Sequence, residues 1–323
     1  MRALAVIGVL LLALAAASAQ QSSKPAAPRF ETPILQQVFN IIRDEQSDYP
    51  LSDIHQGCPR TDCIQSIDQP RYIPASKAQF LSDDDLVMGF VAGGIARAYP
   101  SRIMARHEIV NDQLGDLNYV ITFCPLCGSG LAFDRKQGDT ILSFGVSGLL
   151  HGSDLIMYDR QSRSLWQQIT AKAFAGPRRG ETLRVLPLRM IEWRRWREQH
   201  PDTQVLLPEI DSGIDYIDDV YANYRSDERI RFGGKNDPRL HPKRVVHGIA
   251  GDRGSLAVDA SWLQQQGRVS ARLGDLEITI SMDADGLVTA EDKQSGASLP
   301  VVRLFWFAWY TFHPDTVLLT AQD

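Results

Sequence analysis

Short words of this sequence return at a fixed distance. Val87-Met88-Gly89-Phe90 is answered by Val246-His247-Gly248-Ile249, and Leu114-Gly115-Asp116-Leu117 by Leu273-Gly274-Asp275-Leu276, both 159 positions on. A second echo closes each half. Trp193 and Trp196, then His200-Pro201-Asp202-Thr203, precede Val205-Leu206-Leu207; Trp306 and Trp309, then His313-Pro314-Asp315-Thr316, precede Val317-Leu318-Leu319. Two echoes in one order predict a chain folded as two related, domain-sized halves rather than a solenoid. The fold expected is α+β, predominantly antiparallel β with short helices, internally duplicated. The divisions expected are a signal peptide over 1–19 and an N-terminal extension or linker over 20–80. A first repeat follows over 81–210, then a connecting segment with a degenerate second repeat over 211–323.

The halves differ where chemistry would be sought. The first LGDL word runs through an alternating strand into Cys124-Pro125-Leu126-Cys127-Gly128, whereas the second reaches Met282-Asp283-Ala284 with no cysteine. Local patterns predict a hairpin around Gly93-Gly94 and a helix from Pro100 and Ser101 to about Val110, with Ser101 as cap. Strands follow at 118–123, 131–134, 141–146, 155–158 and 164–168, and a helix over Met190 to Gln199, ended by Pro201.

Arg2, an apolar run from Ala3 to Ala16 and Ala17-Ser18-Ala19 form a secretory signal with cleavage expected near Ala19. That run is short of the roughly 20 residues a membrane-spanning helix needs. The expectation is therefore an exported protein, periplasmic or extracellular, with no transmembrane segment. Its 34 Lys and Arg against 39 Asp and Glu give −5, which argues against a nucleic-acid binder. In an oxidising compartment Cys58 and Cys63 are expected to form a local disulfide, although they could instead complete a four-sulfur site with Cys124 and Cys127.

The Cys124/Cys127 pair has three chemical options: a metal, a short disulfide, or redox exchange. A thioredoxin-type site needs a helix after the cysteines, and Gly128-Ser129-Gly130 leads into a strand instead. One knuckle does not fill a metal's coordination, so further ligands must come from elsewhere. His107 is the first candidate: Ile103, His107, Val110 and Leu114 would form the inward stripe of a helix. His151 is the second. Glu108 and Asp112 are candidate proton carriers, with capping and solvation as their structural alternative.

Several words resemble one family. Ala98-Tyr99-Pro100, His107-Glu108-Ile109-Val110-Asn111-Asp112, Cys124-Pro125-Leu126-Cys127-Gly128-Ser129, Phe144-Gly145-Val146-Ser147-Gly148, Met157-Tyr158-Asp159-Arg160 and Ser164-Leu165-Trp166 are similar to the exported bacterial family called domain of unknown function 3179. Phe305-Trp306-Phe307-Ala308-Trp309 and His313-Pro314-Asp315-Thr316 extend the likeness, which covers roughly Asp85 to Leu319. After Gly148 the chain carries His151-Gly152-Ser153-Asp154 where the family pattern has an asparagine-containing step. The resemblance implies a domain but no activity.

The leading expectation is a Cys/His metal or thiol redox site of Cys124, Cys127 and His107, with His151 a further ligand. Copper or zinc is favoured by two thiolates and an imidazole, and iron is left open. If the site is catalytic, Glu108 or Asp112 carries the proton. The partner would be a small molecule or a periplasmic protein. The alternative is a non-catalytic binding module with a structural Cys124–Cys127 disulfide and an aromatic groove at Trp306 and Trp309. A thiol–disulfide oxidoreductase is the third reading.

Overall fold

The computed structural model describes residues 32–208, 213–217, 219–284 and 286–321. The expected signal segment lies outside the described residues. The elements form an α+β fold of mainly antiparallel sheets, as the patterning predicts. No helix among the described residues is long and apolar enough to cross a membrane.

One succession of elements occurs twice. The first block begins with the hairpin Leu86–Ala92 and Ile95–Pro100, the helix Ser101–His107, and strands Ile109–Leu114, Leu117–Cys124 and Ser129–Asp134. The second begins with Val245–Gly251, Gly254–Asp259, helix Ala260–Gln266, Arg268–Leu273, Leu276–Met282 and Val288–Asp292. Each element of this run starts 159 residues after its counterpart. Both blocks end alike: Val185–Leu186, Arg189–Glu192, helix Trp193–Gln199 and Gln204–Leu206 correspond to Ser298–Leu299, Val302–Phe305, helix Trp306–Phe312 and Val317–Leu319. Here the offset is 113, so the first block holds 46 residues that the second lacks. The strand orders match as well, including the parallel pairing of each last strand with the return strand of the opening hairpin.

The recurring words have a packing cause. The Trp196 ring lies on Gly89, where a Cβ would come within 2.3 Å, and the Trp309 ring lies on Gly248, where the distance would be 2.2 Å. Each indole N–H donates to the threonine of its HPDT word, Trp196 to Thr203 at 3.0 Å and Trp309 to Thr316 at 2.9 Å. Each preceding histidine stacks on its tryptophan, His200 at 4.2 Å and His313 at 4.0 Å between ring centroids. Both Trp306 and Trp309 are buried, so the expected aromatic groove does not exist at these residues.

The inserted residues form a sheet of their own. Strands Phe144–His151, Asp154–Asp159, Leu165–Gln167 and Lys172–Ala175 pair in that order, and Ile54–Gln56 adds to the outer edge of Phe144–His151. The stretch 32–80, expected as an extension or linker, is thus part of the core. Ile34, Leu35, Phe39 and Leu51 are buried in it, Tyr72–Pro74 edges the first-block sheet, and Cys58 and Cys63 form the expected disulfide.

Three local expectations need correction. The helix ends at His107, because Glu108 adopts φ +59°, so Val110 and Leu114 lie in the following strand. Pro100 occupies the N-cap and no side chain caps there, so Ser101 is the first helical residue. Met190–Glu192 belongs to a strand, and its helix begins at Trp193; cross-strand pairing with Val87 and Met88 overrides the helical pattern.

Candidate functional site

Cys124 ends its strand and Cys127 lies in the turn to the next, closed by the Cys127 N–H donating to the Cys124 carbonyl at 3.2 Å. Gly128 completes the turn at φ +60°, a conformation that costs an L-residue about 1–2 kcal/mol. The second block seals this turn. Phe305 donates its N–H to the Cys127 carbonyl at 2.8 Å, and its ring covers Gly128 so closely that a Cβ would stand 2.8 Å away.

The insert brings the third group. Asp154 begins the strand Asp154–Asp159, and one of its carboxylate oxygens, with the Sγ atoms of Cys124 and Cys127, falls within a mutual 4.8 Å. All three residues are buried. Both cysteines are free thiols, not the disulfide of the alternative expectation. Asp154 Oδ2 accepts from Gln167 Nε2 at 2.6 Å and from the Ile169 N–H at 3.0 Å, while buried Oδ1 has no hydrogen-bond partner. The Cys124 thiol donates to the Ser153 carbonyl at 3.5 Å. Ser153 itself, at φ +67°, is clamped by its hydroxyl on the carbonyls of Arg231 and Gly233.

Burial shifts this cluster toward its protonated forms. Burial raises the pKa of Cys124 and raises that of Cys127 well above a free thiol's. Burial lifts Asp154 to about 7, and lifts Glu108 to about 8 with help from the Asp154 charge. No ion pair with Lys or Arg offsets Asp154 or Glu108 among the described residues. Tyr221 is pushed up to about 12 by burial and by the charges of Glu108 and Cys124. The Tyr224 hydroxyl is buried without a partner, and its pKa is raised by burial and then by the Cys127 and Cys124 charges.

The histidines expected as ligands are placed otherwise. His107 donates from Nδ1 to the Gln65 carbonyl at 2.7 Å, since that oxygen can only accept, and Nε2 takes the Tyr216 hydroxyl at 2.7 Å. Both His107 nitrogens are thus engaged outside the cluster of Cys124, Cys127 and Asp154. His151 Nδ1 donates to Gln167 Oε1 at 3.0 Å, and the same amide's Nε2 holds Asp154. His151 therefore orients Asp154 through Gln167 instead of joining the cluster. Asp112 lies along another part of its strand, paired with Arg97 at 2.7 Å and accepting from the hydroxyls of Tyr72, Tyr99 and Tyr119. That network satisfies it structurally. Glu108 alone of the two expected proton carriers stands beside the cluster. Asp154 went unpredicted because no spacing rule joins it to Cys124. Its signal was an acid heading a strand whose six residues are all buried.

The family model described as a protein of unknown function (DUF3179) matches residues 61–299. The chain belongs to this family. No curated protein and no solved structure matches it. The matched span contains both cysteines, Asp154 and Glu108, and runs from the disulfide region to the edge of the second block's last strands.

Proposed function

We propose that this member of the DUF3179 family is an exported metal-binding protein, holding a zinc or copper(I) ion in a buried site on Cys124, Cys127 and Asp154. The observation that carries this reading is the convergence of two thiols and a carboxylate, all buried, within a mutual 4.8 Å. A tetrahedral ion with metal–sulfur bonds of about 2.3 Å and metal–oxygen bonds of about 2.0 Å holds its ligands roughly 3.5–4 Å apart. Exchanging a hard carboxylate for the expected imidazole moves the preference toward zinc, because copper(I) favours soft donors. Metal binding would release the protons that burial retains. The second block serves as a buttress: it lacks cysteines, and its Phe305 covers the cysteine turn. The thioredoxin-like reading is disfavoured, because a strand starting at Ser129 follows the pair and both thiols are raised in pKa rather than lowered.

The test is metal content of protein purified without chelator or metal-affinity resin. The expectation is about one metal per chain, lost in Cys124→Ser, Cys127→Ser and Asp154→Asn. It is kept in His107→Gln, which puts at 107 the residue type found 159 positions on, at Gln266. Metal-free wild type, or loss only in His107→Gln, rejects the reading.

A further inference from the structure

A second feature lies between the two blocks. A cavity of about 380 Å³ is walled by corresponding segments of both: Gly130 and Leu131 with Thr289 and Ala290, and residues 185–191 with 298–301 and Arg303. Its volume falls within the range of small-molecule sites. Most of the lining is apolar, including Leu188, Met190, Leu287 and Val301.

The polar lining is one-sided in charge. His247 and Arg303 are cross-strand partners, so their side chains share one face of the sheet. The same register positions in the first block are Met88 and Met190. The second block thus places a guanidinium and an imidazole where the first places two thioethers. Arg303 has no hydrogen bond or ion pair among the described residues, and Arg189, the other lining cation, is engaged with Gln199. No Asp or Glu lines the cavity among the described residues. Desolvation pulls Arg303 down to about 10, and desolvation with the Arg303 charge holds His247 neutral, near 3. A partly exposed guanidinium without a partner among largely apolar walls is a ready site for an incoming anion.

We propose that this cavity binds a small organic carboxylate with an apolar body. The carboxylate pairs with the guanidinium of Arg303, whose planar fork matches it with two parallel hydrogen bonds. His247 presents a neutral ring beside it, and the leucine, methionine and valine walls take the hydrocarbon part. Phe305, two residues along the strand from Arg303, covers the cysteine turn. The cavity therefore opens about 7 Å along the strand from that contact.

Calorimetric titration of the full chain with hexanoate, hexanol and inorganic phosphate tests this. The result expected is saturable hexanoate binding, weakened at least tenfold in Arg303→Met and less in Arg303→Lys, with hexanol and phosphate both at least tenfold weaker than hexanoate. Arg303→Met installs the residue type of the corresponding position, Met190, so it should fold. Thermal unfolding checks this, and Arg303→Lys decides the matter if it does not. Equal hexanoate binding by wild type and variant, no binding at 10 mM, or phosphate binding in preference to hexanoate would overturn the proposal.

Discussion

Replacing Glu108 with glycine should stabilise the metal-free protein, and the gain should grow with pH. Glu108 combines two costs. Its backbone sits at φ +59°, and the corresponding position of the second block is Gly267 at φ +67°. Strain of this kind costs of order 1–3 kcal/mol for a residue with a side chain. Its carboxyl is buried, with a pKa lifted to about 8 from an ordinary value of 4.5. A group raised in the folded state binds protons that the unfolded chain releases, so stability falls as pH rises from about 4.5 to about 8. The loss from this group is about 1 kcal/mol at pH 5, about 3 at pH 7 and approaches 5 above pH 8. Against this, glycine adds about 0.5–1 kcal/mol of backbone entropy cost, and two buried methylenes are lost at about 0.8 kcal/mol each. The balance for Glu108→Gly is a gain of about 2 kcal/mol at pH 7, near zero at pH 5 and about 4 kcal/mol at pH 8.5. Urea unfolding of metal-free protein at these three pH values measures it, with Glu108→Gln removing the pH slope but not the backbone strain. The same glycine variant should hold zinc some 10–100-fold more weakly, as expected for a group beside the ligands. A glycine variant less stable than wild type at both pH 7 and pH 8.5, with an unchanged pH slope, would refute the reasoning.

Two further outcomes follow from the packing. Gly128→Ala should cost about 3 kcal/mol, from the positive φ and the 2.8 Å approach to the Phe305 ring. Adding Phe305→Leu should recover only the steric part, giving a coupling of about 1–2 kcal/mol in a double-mutant cycle of denaturant unfolding. His247 is depressed to about 3 by burial and by Arg303, with Asp259 opposing, so it contributes stability above pH 6.5 that is lost as pH falls toward 3. Acid unfolding curves should therefore flatten in His247→Met by about 3 kcal/mol between pH 6.5 and pH 4; unchanged curves would place the acid sensitivity elsewhere.

The α+β plan was legible from its alternating strands and short helices, and the repeated words coincide with contacts made in both sheets. Gly89 and Gly248 must be glycine beneath an indole, and Thr203 and Thr316 must meet its N–H. The insert shows in the sequence only as a drop in offset between the words from 159 to 113, since its strands alternate like any others. The cysteine pair was visible from spacing. Its partner was not, because Asp154 reaches it through tertiary folding of the insert. His107 looked inward as expected, but an inward-facing histidine does not disclose its partner, and Gln65 and Tyr216 proved to take both nitrogens. Helix periodicity also ran past Glu108 because a glutamate at positive φ is invisible to pattern reading.

X-ray absorption at the metal edge of the purified, metal-replete protein reads the ligand set around the ion. Expected are two sulfur neighbours at about 2.3 Å and at least one oxygen at about 2.0 Å if the ion is zinc, with the sulfur shell gone in Cys124→Ser/Cys127→Ser. A shell of nitrogen and oxygen alone, or two sulfurs with an imidazole that disappears in His107→Gln, would contradict the proposed site.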